Sequence, residues 1–247
     1  MTAAERRAVI SGIGQSQVGR RLGRDGLDLT IDAALAAIAD AGLTVADIDG
    51  LATYPGAVTG HPGFSGPGSP EVQDGLRLSL AWHSGSAEGP GQLQAVVNAV
   101  MAVSMGLARH VLVYRTVTES TAQGAGRRPG IGVGRSEVDG FQQWLLPFRA
   151  YSAANWLALY AQRHFHEYGT TEKHMAQIAL NARRNAALNP AAVFRAPLTL
   201  EDYLASKVVT TPFRLYDCDV PVDGSVASTK VVYESGPDQR YRRVVAE

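Results

Sequence analysis

The stretch LAWHSGSAEGPGQLQAVVNAVMAVSMG, from Leu80 to Gly106, decides how this chain is read. It holds the end of a strand, a turn of small residues and a long helix. Pro90 suits the first helical position, where its missing N–H would be unpaired in any case. The helix is expected from Pro90 to Ala108. From Leu93 to Leu107 it carries no charge, and its polar side chains are Gln94, Asn98 and Ser104. A helix apolar all round is buried on all sides, so this one is expected at the centre of the fold.

The flanks supply strands. LRLSLAW (Leu76–Trp82) alternates as a strand should, and RHVLVYRTVTES (Arg109–Ser120) has a β-branched core. Further out, RAVISGIG (Arg7–Gly14) reads as a strand. LDLTIDAALAAIADAG (Leu27–Gly42) is a helix with Leu27, Ile31, Ala34, Leu35 and Ile38 on one face, opened by Asp28 and closed by Gly42. DIDGLATYP (Asp47–Pro55) is a short strand, and the Gly/Pro/Ser-rich Ala57–Gly75 a surface loop. After Ser120 comes a Gly/Arg-rich loop, Thr121–Gly140. Helical segments follow at Ala150–Glu167, Thr171–Asn189 and Leu200–Ser206, the second capped by Thr170 or Thr171 with Glu172 in its first turn. A last strand is expected from about Ser225 to Glu234. This order gives an α/β sheet with helices on both faces and a helical insertion before the last strand.

Composition removes several classes of function. The 247 residues carry 23 Lys+Arg and 23 Asp+Glu, so bulk charge points to neither nucleic acid nor an anionic membrane. No apolar run approaches a membrane span or a signal peptide. The single cysteine, Cys218, rules out an internal disulfide and an all-cysteine metal site. A reduced, cytoplasmic setting is expected.

Few motifs rise above turn chemistry. GIGQSQVG (Gly12–Gly19) follows a strand, but its third glycine comes one position late and no helix start follows, so a strand-to-loop turn is preferred over a dinucleotide site. A nicotinamide-dependent oxidoreductase rests on that motif alone. His164, His166, Glu167 and His174 lack the i, i+4 spacing of a helical zinc site, and no metal is expected. GHPG (Gly60–Gly63) reads as an exposed turn, and YDCDVPVDG (Tyr216–Gly224) as turn chemistry with a sharp reversal at Asp223–Gly224. Cys218 has no neighbour that would lower its pKa. HSGSAEGPG (His83–Gly91) is the best candidate. Unpaired N–H groups at a helix start bind a carboxylate, a phosphate or a developing oxyanion. His83 is the candidate base, with Glu88 a second proton carrier. The competing reading is a glycine-rich connection needed only for close packing.

VISGIGQSQVG, AALAAIADAGLTVADIDGL, GQLQAVVNAVMAVSMGLARHVLVYR and TPFRLYDCDVPVDGSVA, in that order, resemble the N-terminal half of the thiolase superfamily. The match is closest to its lipid-transfer-protein or sterol-carrier-type branch, and runs to about Ala227. The resemblance implies a thiolase-like five-stranded mixed sheet. Residues 1–120 and 212–235 would form the α/β half, 121–211 a loop domain over the acyl-CoA, and 236–247 a polar tail. It also implies a homodimer through strand 76–82.

Two departures shape the expected chemistry. The position matching the family's nucleophilic cysteine holds Gly89, which forms no thioester. Cysteine-less members of the branch resemble aldolases that split a carbon–carbon bond in a steroid side-chain CoA thioester, working with a small acyl-CoA-binding partner. The family's second half, with its catalytic histidines, has no counterpart in this sequence. The expectation is therefore a thiolase-like protein of lipid or steroid acyl-CoA metabolism, leaning to an enzyme. Gly89 and Gly91 stand at the oxyanion site, with His83 as proton carrier. No cofactor is expected beyond the CoA thioester substrate. Arg127, Arg128, Arg183 and Arg184 are the candidates for CoA phosphates, against the plainer reading of solvated surface arginines. The alternatives are a non-catalytic acyl-CoA-binding or assembly subunit and a truncated, inactive enzyme.

Overall fold

The computed structural model describes residues 8–55, 63–85, 91–126, 143–150 and 152–232. The chain divides into two compact units, Met1–Arg128 with Val222–Glu247, and Pro129–Pro221.

The first unit is built on a mixed sheet of five strands in the order β1-β7-β4-β2-β3: β1 (Ala8–Gln15), β2 (Gly50–Thr53), β3 (Trp82–Gly85), β4 (His110–Thr118) and β7 (Asp223–Val232). β2 runs parallel to β3 and β4, whereas β7 is antiparallel to β1 and β4. Alternation along the strands divides the core in two. Leu51, Leu112 and Tyr114 join one cluster, and Ala52, Val111 and Val113 the other.

On the first face lies α1 (Gly26–Asp40). Asp25, not Asp28, opens it, its carboxylate accepting from the Leu27 N–H at 2.7 Å. Gly42, with φ +68°, closes it as expected. The helix lies almost backbone to backbone on β1, since a Cβ at Gly14 would come 2.2 Å from the Ala33 carbonyl oxygen. Beside it is α2 (Ser69–Leu76), in the region read from sequence as a loop. Its proline stands in the first turn, and Val72 and Leu76 are buried four residues apart. The strand expected at 76–82 is absent. Leu76 ends α2, Arg77 takes a left-handed conformation (φ 55°), and the strand starts only at Trp82. Leu78 is buried and Leu80 packs against the same core, so their alternation records burial without strand pairing.

The opposite face carries α3 (Gly91–Ser104). It is not buried all round. Gly91, Ala95, Ala99, Ala102 and Val103 face the sheet, while Leu93 and Met101 are 67% and 52% exposed. Its residues are sorted by size. The small ones allow a close approach to the strands and the large ones point away, a distinction that a hydrophobicity pattern does not register. Two of its four polar side chains continue one hydrogen-bonded line. Gln94 Nε2 donates to Asn98 Oδ1 (2.7 Å), and Asn98 Nδ2 donates to Ser84 Oγ on β3 (3.1 Å).

Asp223 corrects the turn chemistry read from sequence. It is fully buried at the start of β7. Its carboxylate accepts from the Leu22 N–H (2.8 Å), the Thr121 N–H (3.0 Å) and the Thr121 hydroxyl (2.5 Å). Thr121 belongs to α4 (Glu119–Gly124), which directly follows β4. The clamp thus keeps Thr121 in the first unit, although the sequence reading began the insertion there.

The second unit holds α5 (Ala153–Tyr168), α6 (Glu172–Leu188), α7 (Leu200–Ala205) and the two-stranded β5 (Val208–Thr210) and β6 (Phe213–Arg214). Thr171 caps α6, with His174 completing the box (Thr171 N–H to His174 Nδ1, 3.1 Å). Glu172 instead pairs with Arg214 at 2.9 Å. The buried Tyr203 hydroxyl donates to the Asp217 carboxylate at 2.8 Å.

Asp223 gives a direct test of the first unit. A buried carboxylate is tolerated because its donors satisfy it, and removing it leaves those donors unpaired. Asp223→Ala is expected to destabilise the chain by about 3 kcal/mol or more, and Asp223→Asn by roughly half of that. Chemical denaturation followed by circular dichroism measures both.

Candidate functional site

The head of α3 lies beside the end of β2. The first N–H groups of any helix have no partner within it and carry partial positive charge. What seats this end is a contact with Tyr54, the residue after β2. A Cβ on Gly91 would lie 1.7 Å from Tyr54 Cδ2 and 2.0 Å from Cε2. No side chain fits, so the ring packs directly on the backbone of the first helical residue. Gly91 is required by this contact, whatever part it plays in chemistry.

Tyr54 carries a second neighbour on its ring. The guanidinium of Arg115, on β4, lies 5.3 Å from the Tyr54 centroid and 4.8 Å from that of Phe64. The two rings meet edge to face, with centroids 6.4 Å apart. Arg115 Nη1 donates to the Thr116 carbonyl at 3.2 Å. Burial pulls the Arg115 pKa below its ordinary value, opposed by Tyr54 and Glu119. Gln92, Ala95 and Val96 of α3 form, with Tyr54, Arg115 and the strands, a cavity of about 750 Å³.

His83 is exposed on β3, opposite Leu51 of β2. Leu51 belongs to the core beneath α1 and α2, whereas its neighbour Ala52, opposite Ser84, belongs to the core beneath α3. Alternation therefore sends Ser84 towards α3 and His83 towards the other face. Gly89, Glu88, Arg127, Arg128 and most of GHPG lie outside the described residues.

The remaining candidates belong to the second unit. Arg183 on α6 is held between two rings, 5.7 Å from the centroid of Phe194 and 5.5 Å from that of Tyr216, and donates to the Ala196 carbonyl at 3.1 Å. Arg184 is exposed and bonds Asn181 at 3.1 Å. Cys218 is half-buried, and burial, with Asp217 and Asp219 beside it, pushes its thiol pKa up. A thiol so placed is a poor nucleophile at neutral pH. His110 stands at the far end of β4, its pKa lowered chiefly by burial against the opposing pull of Asp49. Among the described residues no group of His, Cys, Asp and Glu could hold a metal, and no helix is long and apolar enough to cross a membrane.

Tyr54 and Arg115 are the residues the sequence reading missed. Both were absorbed into strand segments. The available signal was Arg115 itself, a charge inside the buried run VLVYRTV, since arginine is rarely taken into a core without a partner or a task.

Two relatives and two solved structures are similar to this chain over most of its length. The steroid side-chain-cleaving aldolase of Thermomonospora curvata is 36% identical over 238 residues, 94% of this chain and 58% of the relative. The 17-hydroxy-3-oxo-4-pregnene-20-carboxyl-CoA lyase of Mycobacterium tuberculosis is 30% identical over 252 residues, 97% of this chain and 61% of the relative. The chain thus spans about three-fifths of the length of these relatives. Among solved structures, the Ltp2-ChsH2(DUF35) aldolase superposes with a TM-score of 0.78 at 33% identity, over 96% of this chain and 57% of that one. A monomeric SCP2-thiolase like protein type 1 from Mycobacterium smegmatis shares the fold, with a TM-score of 0.65 at 17% identity over 92% of this chain and 46% of that one. No family model matches the sequence.

The packing at the helix head predicts a coupled pair of substitutions. Gly91→Ala drives a methyl into the Tyr54 ring and is expected to cost about 2 kcal/mol or more. Adding Tyr54→Ala removes the obstacle, so the double variant should be more stable than the sum of the two singles by at least about 0.5 kcal/mol. A double-mutant cycle in urea reads this, and strict additivity would contradict the contact.

Proposed function

We propose that this chain, a member of the thiolase superfamily over the N-terminal half of that fold, belongs to its SCP2-thiolase-like branch and serves a carbon–carbon lyase acting on CoA thioesters of lipid or steroid side chains. The observation that carries the reading is the missing thiol. The sequence has Gly89 at the position that matches a thiolase's cysteine, and the chain's single thiol is half-buried beside two carboxylates. An acyl-enzyme at that position is thereby given up, while retro-aldol chemistry requires no thiol.

In the proposed step the substrate is a 3-hydroxyacyl-CoA. A base removes the hydroxyl proton, the Cα–Cβ bond breaks, and the β carbon leaves as a ketone. The bonding pair moves onto the thioester as an enolate, which a proton then quenches. The charge developing on the thioester oxygen is met by the N–H groups around Gly89 and Gly91. One such donor is worth roughly 10²–10³ in rate. The reaction needs no cofactor beyond the thioester. Since β3 sends His83 away from α3, His83 is a weak proposal for the base. The CoA phosphates fall to Arg127, Arg128 and Arg184 before Arg183, whose guanidinium is already held between two rings.

Assembly belongs to the same proposal. The solved Ltp2-ChsH2(DUF35) neighbour supports a small partner protein, and acyl-CoA binding is the role proposed for it. β3 ends the sheet, with one edge unpaired among the described residues, and offers a homodimer contact at Trp82–Gly85 in place of the expected 76–82. The setting proposed is the cytoplasm. A second reading, an acyl-CoA-binding subunit without catalysis, is favoured by the face of β3 that His83 takes, away from α3.

Isothermal titration with a 3-hydroxyacyl-CoA separates these outcomes from none. Binding at micromolar to millimolar ligand is expected, unchanged within two-fold in Cys218→Ser and in His83→Ala. No binding at millimolar ligand would sink both readings. A loss of more than ten-fold in Cys218→Ser would return the thiol to the site.

A further inference from the structure

Phe64 belongs to a strap tied to the end of β4. The Thr118 N–H donates to the Gly63 carbonyl at 2.8 Å, and the buried Tyr114 hydroxyl donates to the Pro67 carbonyl at 3.0 Å. Between these two bonds Gly66 lies bare against Thr116, where a Cβ on the glycine would come 2.5 Å from that of the threonine. The strap is therefore fixed on β4 before α2 begins at Ser69, and Phe64 is fixed with it. Its ring meets the Arg115 guanidinium, and the guanidinium meets the Tyr54 ring. Tyr54 rests in turn on the backbone of Gly91. The stack Phe64–Arg115–Tyr54 thus ends on the first residue of α3.

A guanidinium taken out of water is costly, and an uncharged side chain would fill the same space without that cost. What arginine adds is a flat cation attracted to the rings of both Phe64 and Tyr54, which stand at 80° to one another. Its bond to the Thr116 carbonyl fixes how that plane is turned. Lysine would bring the charge as a point, with no plane to register two rings. Among the described residues the Tyr54 hydroxyl has no hydrogen-bond partner, so the ring is held by what packs on it.

We propose that Arg115 is a positioning residue: braced by Phe64, its guanidinium holds the Tyr54 ring on Gly91 and so sets where the first N–H groups of α3 point. Arg115 itself touches no reacting atom. Its effect on rate rests on the lyase reading, whereas its effect on the helix head does not.

Amide hydrogen exchange of the full chain tests the second effect. Turnover of a 3-hydroxyacyl-CoA, with the partner chain of the solved neighbour added, tests the first. The amides of Ala95, Val96 and Val97 bond back to the first turn of α3. They should exchange about ten-fold faster in Arg115→Met. They should exchange no faster in Tyr54→Leu with Arg115→Met than in Tyr54→Leu alone. In Arg115→Met kcat should fall by about ten-fold or more while KM stays within about two-fold. Arg115→Lys separates plane from charge and should follow Arg115→Met in both measurements. Wild-type exchange in Arg115→Met, or additive effects of Arg115→Met and Tyr54→Leu, overturns the proposal. So does faster exchange with unchanged kcat, and so does wild-type behaviour in Arg115→Lys. A wild type without turnover tells against the lyase reading, and exchange then decides the positioning of the helix head. Where Arg115→Met does not fold, Phe64→Leu takes its place with the same expected exchange.

Discussion

The contact between the Tyr54 ring and the bare backbone of Gly91 fixes more of this molecule than any other. It sets how closely the first turn of α3 approaches the sheet, and so where its unpaired N–H groups point. The rest of α3 follows from the same requirement for closeness. Ala95, Ala99 and Ala102 continue the small-residue seam that Gly91 begins, and Asn98 ties the helix to Ser84 on β3. The Tyr54 ring also receives Arg115, so one aromatic residue joins the helix head to the guanidinium on β4. A change at Gly91 would therefore reach the chemistry, the packing and the cavity together.

Much of this was legible in the sequence, for a physical reason. Four of the five sheet strands carry alternation or β-branching strong enough to read singly. The central helix announced itself by fifteen residues without a charge. What failed were features that depend on tertiary partners. Leu76, Leu78 and Leu80 alternate because the core draws them in, yet only Leu76 lies in a regular element, the end of α2. Asp223 looked like turn chemistry because aspartate before glycine usually is, and its burial depends on Leu22 and Thr121, far off along the chain. The bare outer side of α3 could not be foreseen from hydrophobicity, because Leu93, Val97 and Met101 are as apolar as anything in the core.

The site was legible in part. HSGSAEGPG reads as the candidate turn, and of it Gly91 stands at the start of α3 while residues 86–90 lie outside the described residues. The role of His83 depends on which face of β3 it takes, and that parity is set by the register with β2. Tyr54 and Arg115 were hidden inside strands, where a reading by periodicity assigns residues to faces and stops. The same distinction bears on function. A thiolase-type fold without its thiol loses covalent catalysis but retains a helix N-terminus, which stabilises an enolate oxygen as well as it would a tetrahedral one.

The central claim is that cleavage at this site is carbon–carbon and non-covalent. Its most direct measurement follows a 3-hydroxyacyl-CoA with a tertiary alcohol, incubated with the chain and the partner chain of its solved neighbour, by mass spectrometry of both small molecules and intact protein. The account predicts a ketone and a shortened acyl-CoA in equal amounts, with no mass added to the chain. An acyl adduct on Cys218, or release of free CoA in place of the shortened thioester, would contradict it.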